Sequence, residues 1–235
     1  MHAIPTAEDL QKPRTPSDLR AFVAGALDII ALDQASKEAA RLWRGQAKEL
    51  LREILPMSYF APWRWPGDDV LIQPRLGDQG YDAQVLTLDG KPLAALEVSW
   101  AVDGQTHKEE MIALNKTGAT PVRTWGAKEL TAAVDRTLVA AQIKSRKDYR
   151  NYLLLFVFDV LPLFWVEDDK DWAMIEGMHE KLVEQQFVAS EAYLLLVPPD
   201  YVASKGRDPI TRVDRANNEV DRTDDLPLGS PVGHL

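Results

Sequence analysis

Apolar residues recur at three- and four-residue spacing after Thr15-Pro16-Ser17-Asp18, in "LRAFVAGALDIIAL", and a hydroxyl cap with proline in the first turn marks a helix start. A second helix is predicted over about Gln34–Ile54, where Ala39, Leu42, Ala47, Leu50, Leu51 and Ile54 form one stripe. "PMSYFAPWRWPGDD" then sets three prolines against helix and leads into a short strand, "VLIQP". From Gly80 to Trp100, "GYDAQVLTLDGKPLAALEVSW" reads as two strands folded about Asp89-Gly90, a strong hairpin signal because both central positions of a type I′ turn need positive φ. "DGQTHKEEMIALNKTG" predicts a turn, a helix and a glycine stop. A long amphipathic helix follows over about Gly126–Arg150. The continuous apolar runs "YLLLFVFDVL" and "AYLLLV" predict strands covered on both faces, joined through the helix "DWAMIEGMHEKLVEQQF" by a right-handed parallel crossover.

These elements predict an α/β fold: a mixed central sheet of about five strands, helices on both faces and an N-terminal helical extension. The expected divisions are a helical arm over 1–62, an α/β core over 63–202 and a polar, flexible tail over 203–235. No apolar run approaches the roughly 20 residues of a membrane helix, so no membrane association is expected. The polar, proline-interrupted first residues lack the features of an export or import leader, which makes a cytoplasmic protein the expectation.

Candidate chemistry narrows further. The chain has no cysteine, and its four histidines lie far apart, which excludes thiolate nucleophiles, zinc ribbons and iron–sulfur clusters. The phosphate-loop, dinucleotide-binding and nucleophile-elbow motifs are all absent. A net charge of −9 argues against coating nucleic acid by bulk electrostatics, yet Lys144, Arg146, Lys147 and Arg150 make a local basic patch that could contact phosphates. Basic residues at a helix C-terminus also suit the helix dipole without any ligand. Tyr59, Phe60, Trp63 and Trp65 crowd the proline-rich loop, a composition that serves either base stacking or, more commonly, packing of the arm on the core. "EDDKD" at 167–171 reads as an acidic loop and helix cap.

The hairpin raises the sharper question. With a two-residue loop, paired positions sum to 179, so Leu86 faces Leu93, Gln84 faces Ala95 and Asp82 faces Glu97, whereas a three-residue loop would shift the register and separate the acids. Like charges paired across strands destabilise a sheet unless a cation lies between them or one is protonated. A hard divalent cation is the natural occupant, and the bland alternative is a hairpin end with two solvated acids.

An acid on the second strand, an acid on the third within "YDA…LEVSW", a helix and then a buried strand after a Lys-bearing amphipathic helix together resemble the PD-(D/E)XK, or restriction-endonuclease-like, nuclease superfamily over about Val70–Val197. The resemblance implies a restriction-endonuclease-like core with Asp82 and Glu97 as Mg²⁺ or Mn²⁺ ligands. The motif's lysine position is Ser99, a departure. Some members supply that cation from a nearby helix, and Lys108 is then the best-placed candidate, with His107 beside it; otherwise Lys108 is a solvated helix residue. The resemblance also allows Glu49 or Glu53 of the N-terminal helix to join the site. The expected function is divalent-metal-dependent phosphodiester hydrolysis, with catalytic residues Asp82, Glu97 and Lys108 and with Lys144, Arg146 and Lys147 on nucleic acid. The alternative is a catalytically inactive nuclease-fold binding module, or an acidic inhibitor or immunity-type protein that meets a protein partner.

Overall fold

The structure is a computed structural model that describes residues 4–77, 80–102, 104–118, 126–160 and 169–214. A single six-stranded sheet runs in chain order: β1 (Val70–Pro74), β2 (Ala83–Thr87), β3 (Pro92–Trp100), β4 (Tyr149–Asp159), β5 (Ala189–Val197) and β6 (Ile210–Arg212). β1, β2 and β3 form an antiparallel meander, β3, β4 and β5 are parallel, and β6 closes antiparallel on β5. The fold is therefore α/β with a mixed sheet, and it has one strand more than expected. That strand is Ile210–Arg212, in the stretch assigned above to a flexible tail. Three residues carry too little pattern to be read, but Ile210 and the following Val213 are buried.

Helices cover both faces. On one side lie α1 (Ala7–Leu10), α2 (Pro16–Leu32), α3 (Gln34–Arg41), α4 (Gly45–Glu49), a π-helical turn (Leu50–Ile54) and α5 (Leu55–Arg64). α7 (Ala127–Ser145) and α8 (Asp169–Glu184) pack on the other, α6 (Gly104–Thr117) follows β3, and α9 (Pro199–Ser204) follows β5. β4 divides the two cores by strand alternation. Leu153, Leu155 and Val157 face the N-terminal helices, and Leu154, Phe156 and Phe158 face α7 and α8. The N-terminal arm is thus one wall of the core: Leu19, Val23, Ala26 and Ile30 of α2 are buried in it, and Arg14 exchanges both backbone hydrogen bonds with Ile72 of β1. Among the described residues no helix is long and apolar enough to cross a membrane.

Three boundaries differ from expectation for identifiable reasons. The second helix breaks at Leu42–Arg44, where Trp43 takes a positive φ of 49°. The prolines after it do not stop helix: α4, the π-helical turn and α5 run without a break from Gly45 to Arg64, so Pro56 lies inside a helical run and Pro62 two residues before its end, each removing one backbone donor. The wide turn just before Pro56 relieves the crowding of its ring against the preceding carbonyls. α7 ends at Ser145, so Tyr149 and Arg150 belong to β4. The aromatic cluster is packing. Phe60 is fully buried, with Trp63, Trp65 and Tyr193 at centroid distances of 6.1, 5.9 and 5.0 Å.

Candidate functional site: an acid cluster at the open edge of the third strand

The loop of the hairpin is not the two-residue turn expected from Asp89-Gly90. The Thr87 N–H donates to the Lys91 carbonyl at 2.8 Å and the Gly90 N–H to the Thr87 carbonyl at 2.9 Å, which encloses three residues, Leu88 to Gly90. Gly90 takes φ 84°, as the left-handed position of such a loop requires. This loop shifts the register by one at the tip, pairing Leu86 with Pro92. An irregularity between Val85 and Leu86 then shifts it back. Ala83 pairs with Leu96 and Gln84 with Ala95, so the two shifts cancel and Asp82 still arrives beside Glu97.

β2 begins at Ala83, whereas β3 continues to Trp100 paired, among the described residues, only with β4. This leaves one edge of Glu97–Trp100 open, and Asp82 fills the first place on it. Its N–H donates to the Leu96 carbonyl at 2.9 Å, and its carboxylate accepts the Val98 N–H at 2.6 Å. That hydrogen bond favours the charged form. Burial outweighs it, and with the charge of Glu97 adding to the effect the Asp82 carboxyl is pushed up to about 6.

Leu96 and Val98 face the N-terminal helices, so alternation turns Glu97 and Ser99 to the other side of the sheet. There the last turn of α7 passes, and the Lys144 ammonium donates to the Glu97 carboxylate; the two side chains are only 17% and 14% exposed. Burial opposes the charge on Lys144, but Glu97 and then Tyr149 hold its pKa above the ordinary lysine value.

The N-terminal layer supplies two more acids at this edge. Glu53, in the π-helical turn, is pushed up to about 8, first by burial, then by the charge of Asp82 and by a hydrogen bond with Glu49. Glu49, one turn earlier, contacts Lys48 at 3.4 Å. Helices on opposite faces of the sheet thus converge where β2 stops short of β3. Four carboxyl groups meet there against Lys144 and the more exposed Lys48.

Asp82 and Glu97 come together as the hairpin register predicts. Lys108 is exposed on α6, and it is Lys144 that reaches Glu97. The sequence assigned Lys144 to an open phosphate-binding face with Arg146 and Lys147; those two are exposed, whereas Lys144 turns into the cluster because the end of α7 lies over β3. The carboxylate set is all oxygen and exceeds its cations, which suits a hard divalent ion. In the present side-chain positions, however, no group of three or more His, Cys, Asp or Glu among the described residues is arranged to hold one. No family model matches the chain, and searches of curated proteins and of solved structures give no match.

Proposed function

We propose that the protein is a divalent-metal-dependent nuclease that hydrolyses phosphodiester bonds at the open edge of β3. The observation that supports this most is the excess of half-buried carboxyl groups there, with Asp82 and Glu53 raised into the neutral range first by burial and then by neighbouring carboxylates. Structural acids are normally compensated, and acids pushed apart in pKa beside a lysine are typical of sites that bind a cation and move protons.

Asp82 and Glu97 would hold Mg²⁺ or Mn²⁺, with Glu53 beside Asp82 as a further oxygen donor. When bound, the ion would polarise a phosphoryl oxygen and acidify its water. Lys144 would take the part that the nuclease-superfamily resemblance gives to the lysine absent at Ser99, its ammonium lying beside Glu97 where it could face negative charge developing on the phosphoryl group. In the metal-free protein Glu53 holds its proton at neutral pH; it would give that proton up as an ion binds and could then accept one beside it.

The Lys144–Glu97 bridge favours one second reading, a binding module in which lysine has permanently replaced the metal. Cleavage of single- and double-stranded DNA and RNA with Mg²⁺ or Mn²⁺ separates the two. The nuclease reading expects cleavage that is lost in Asp82→Asn and Lys144→Gln; absence of cleavage in the unaltered protein, with every substrate and both metals, would leave the binding module.

A further inference from the structure

A second site lies beyond the acid cluster, where the C-terminal ends of β3 and β4, the π-helical turn, α6 and α7 enclose a cavity of about 360 Å³. This is within the range of small-molecule sites, roughly 300–1,000 Å³. Its walls are largely apolar, with Leu51, Leu55, Ala133 and Val157 among them.

Two arginines break that apolar lining. Arg136 of α7 has neither a hydrogen-bond nor a carboxylate partner among the described residues. Arg52 makes one long hydrogen bond, 3.5 Å to the Trp100 carbonyl, and lies over the Trp43 ring at 4.8 Å, again with no carboxylate. Among the described residues five buried side-chain nitrogens or oxygens lack a partner, and three of them belong to this wall: Arg52 Nε, Arg136 Nε and Trp100 Nε1. Buried donors are nearly always satisfied, so a concentration of orphans in one cavity wall points to an absent acceptor.

The wall is also held in a strained form. Trp43 keeps its positive φ while stacking on His107 at 3.7 Å, and His107 Nε2 lies 3.1 Å from the Arg41 carbonyl. Burial lowers the His107 pKa, which favours its neutral form, so the cationic side chains lining the cavity are the two arginines. Glu110 and Asp159 also line it and have interactions of their own.

We propose that this cavity binds a small organic anion, a single carboxylate or phosphate group on an apolar body, with Arg52, Arg136 and the Trp100 indole N–H receiving the oxyanion. The assignment does not rest on the nuclease reading, since the two sites share no side chain and the ligand needs no metal.

The test is calorimetry and thermal melting of the full chain in a chelating, metal-free buffer. Adenosine 5′-monophosphate serves as the phosphate source, 1-naphthoate as the carboxylate source and 1-naphthamide as the uncharged isostere of the latter. Saturable binding of at least one anion is expected, and the anion that binds identifies the headgroup. Naphthamide should bind at least about tenfold more weakly than naphthoate if the carboxylate is the headgroup. Arg136→Gln should weaken the anion by about tenfold, and Trp100→Phe, which keeps an aromatic ring and removes the N–H, by about threefold. The proposal is overturned if neither anion binds up to about 5 mM, if naphthamide binds as well as the only anion that does, or if Arg136→Gln leaves the affinity unchanged.

Discussion

Two half-buried charged clusters stand on the same sheet, and their electrostatics run in opposite directions. At the β5 end, Arg64 donates to both oxygens of Glu191, at 3.0 and 2.8 Å, and the Tyr193 hydroxyl adds a third bond at 2.6 Å. Burial works against the Glu191 charge, but Arg64 and Tyr193 outweigh it and hold the carboxyl below its ordinary value. At the β3 edge, Asp82 and Glu53 are buried to a similar degree with too few cations, and both are raised. The same elements, acids on strands facing groups on helices, produce a brace in one place and a reservoir of uncompensated charge in the other. The number of donors aimed at each carboxylate separates them, and burial does not.

The comparison is broken most severely at the acid cluster. Asp82→Asn or Glu97→Gln should reduce phosphodiester cleavage about a thousandfold while leaving the fold intact, as read by initial rates beside near-UV circular dichroism. Lys144→Gln should lower cleavage about a hundredfold and tighten Mg²⁺ binding, because it removes the cation that competes for Glu97. A merely structural lysine would weaken stability and move neither quantity this way.

At the brace the expectation reverses. Arg64→Ala should destabilise the protein by about 2 kcal/mol in urea unfolding, reduced from a fully buried pair because both partners keep some exposure, and should leave metal affinity unchanged. The smallest effect is the most diagnostic. A carboxyl whose folded pKa is raised favours the folded state fully below its unfolded value and loses that contribution as pH rises through the folded one. Stability is therefore lost through Asp82 between about pH 4 and 6 and through Glu53 between about pH 4.5 and 8, and each loss persists above its range. Removing the charge should stabilise the metal-free protein at pH 8 by about 1 kcal/mol in either Asp82→Asn or Glu53→Gln. Denaturant melts at pH 4 and pH 8 would show this gain only at the higher pH.

Much of this was legible in the sequence because the relevant signals are local. The hairpin is marked by Asp89-Gly90, and the two buried strands by unbroken apolar runs that two helical layers must cover. The Asp82–Glu97 pairing was readable for a less direct reason. The three-residue loop shifts the register and the irregularity at Val85/Leu86 restores it, so counting from a two-residue turn reaches the same partners. Tertiary placement was not legible. Lys108 is adjacent to β3 in sequence and Lys144 is 47 residues from Glu97, yet only the latter is carried over the strand by its helix. Glu49 and Glu53 share one helix face by their four-residue spacing, which was a usable signal, but i,i+4 acids are as common on solvated faces. The brace at Glu191 depends on Arg64 arriving from a helix that the prolines appeared to forbid.

The most direct test of the acid cluster is a calorimetric titration of Mn²⁺ into the metal-free protein at pH 7, repeated in two buffers of different ionisation enthalpy. Because Glu53 is largely protonated at that pH, and Asp82 partly so, metal binding must displace protons. The account predicts saturable binding with net proton release, abolished in Asp82→Asn and reduced in Glu53→Gln. No binding at millimolar Mn²⁺, or binding without proton release that survives in Asp82→Asn, would contradict it.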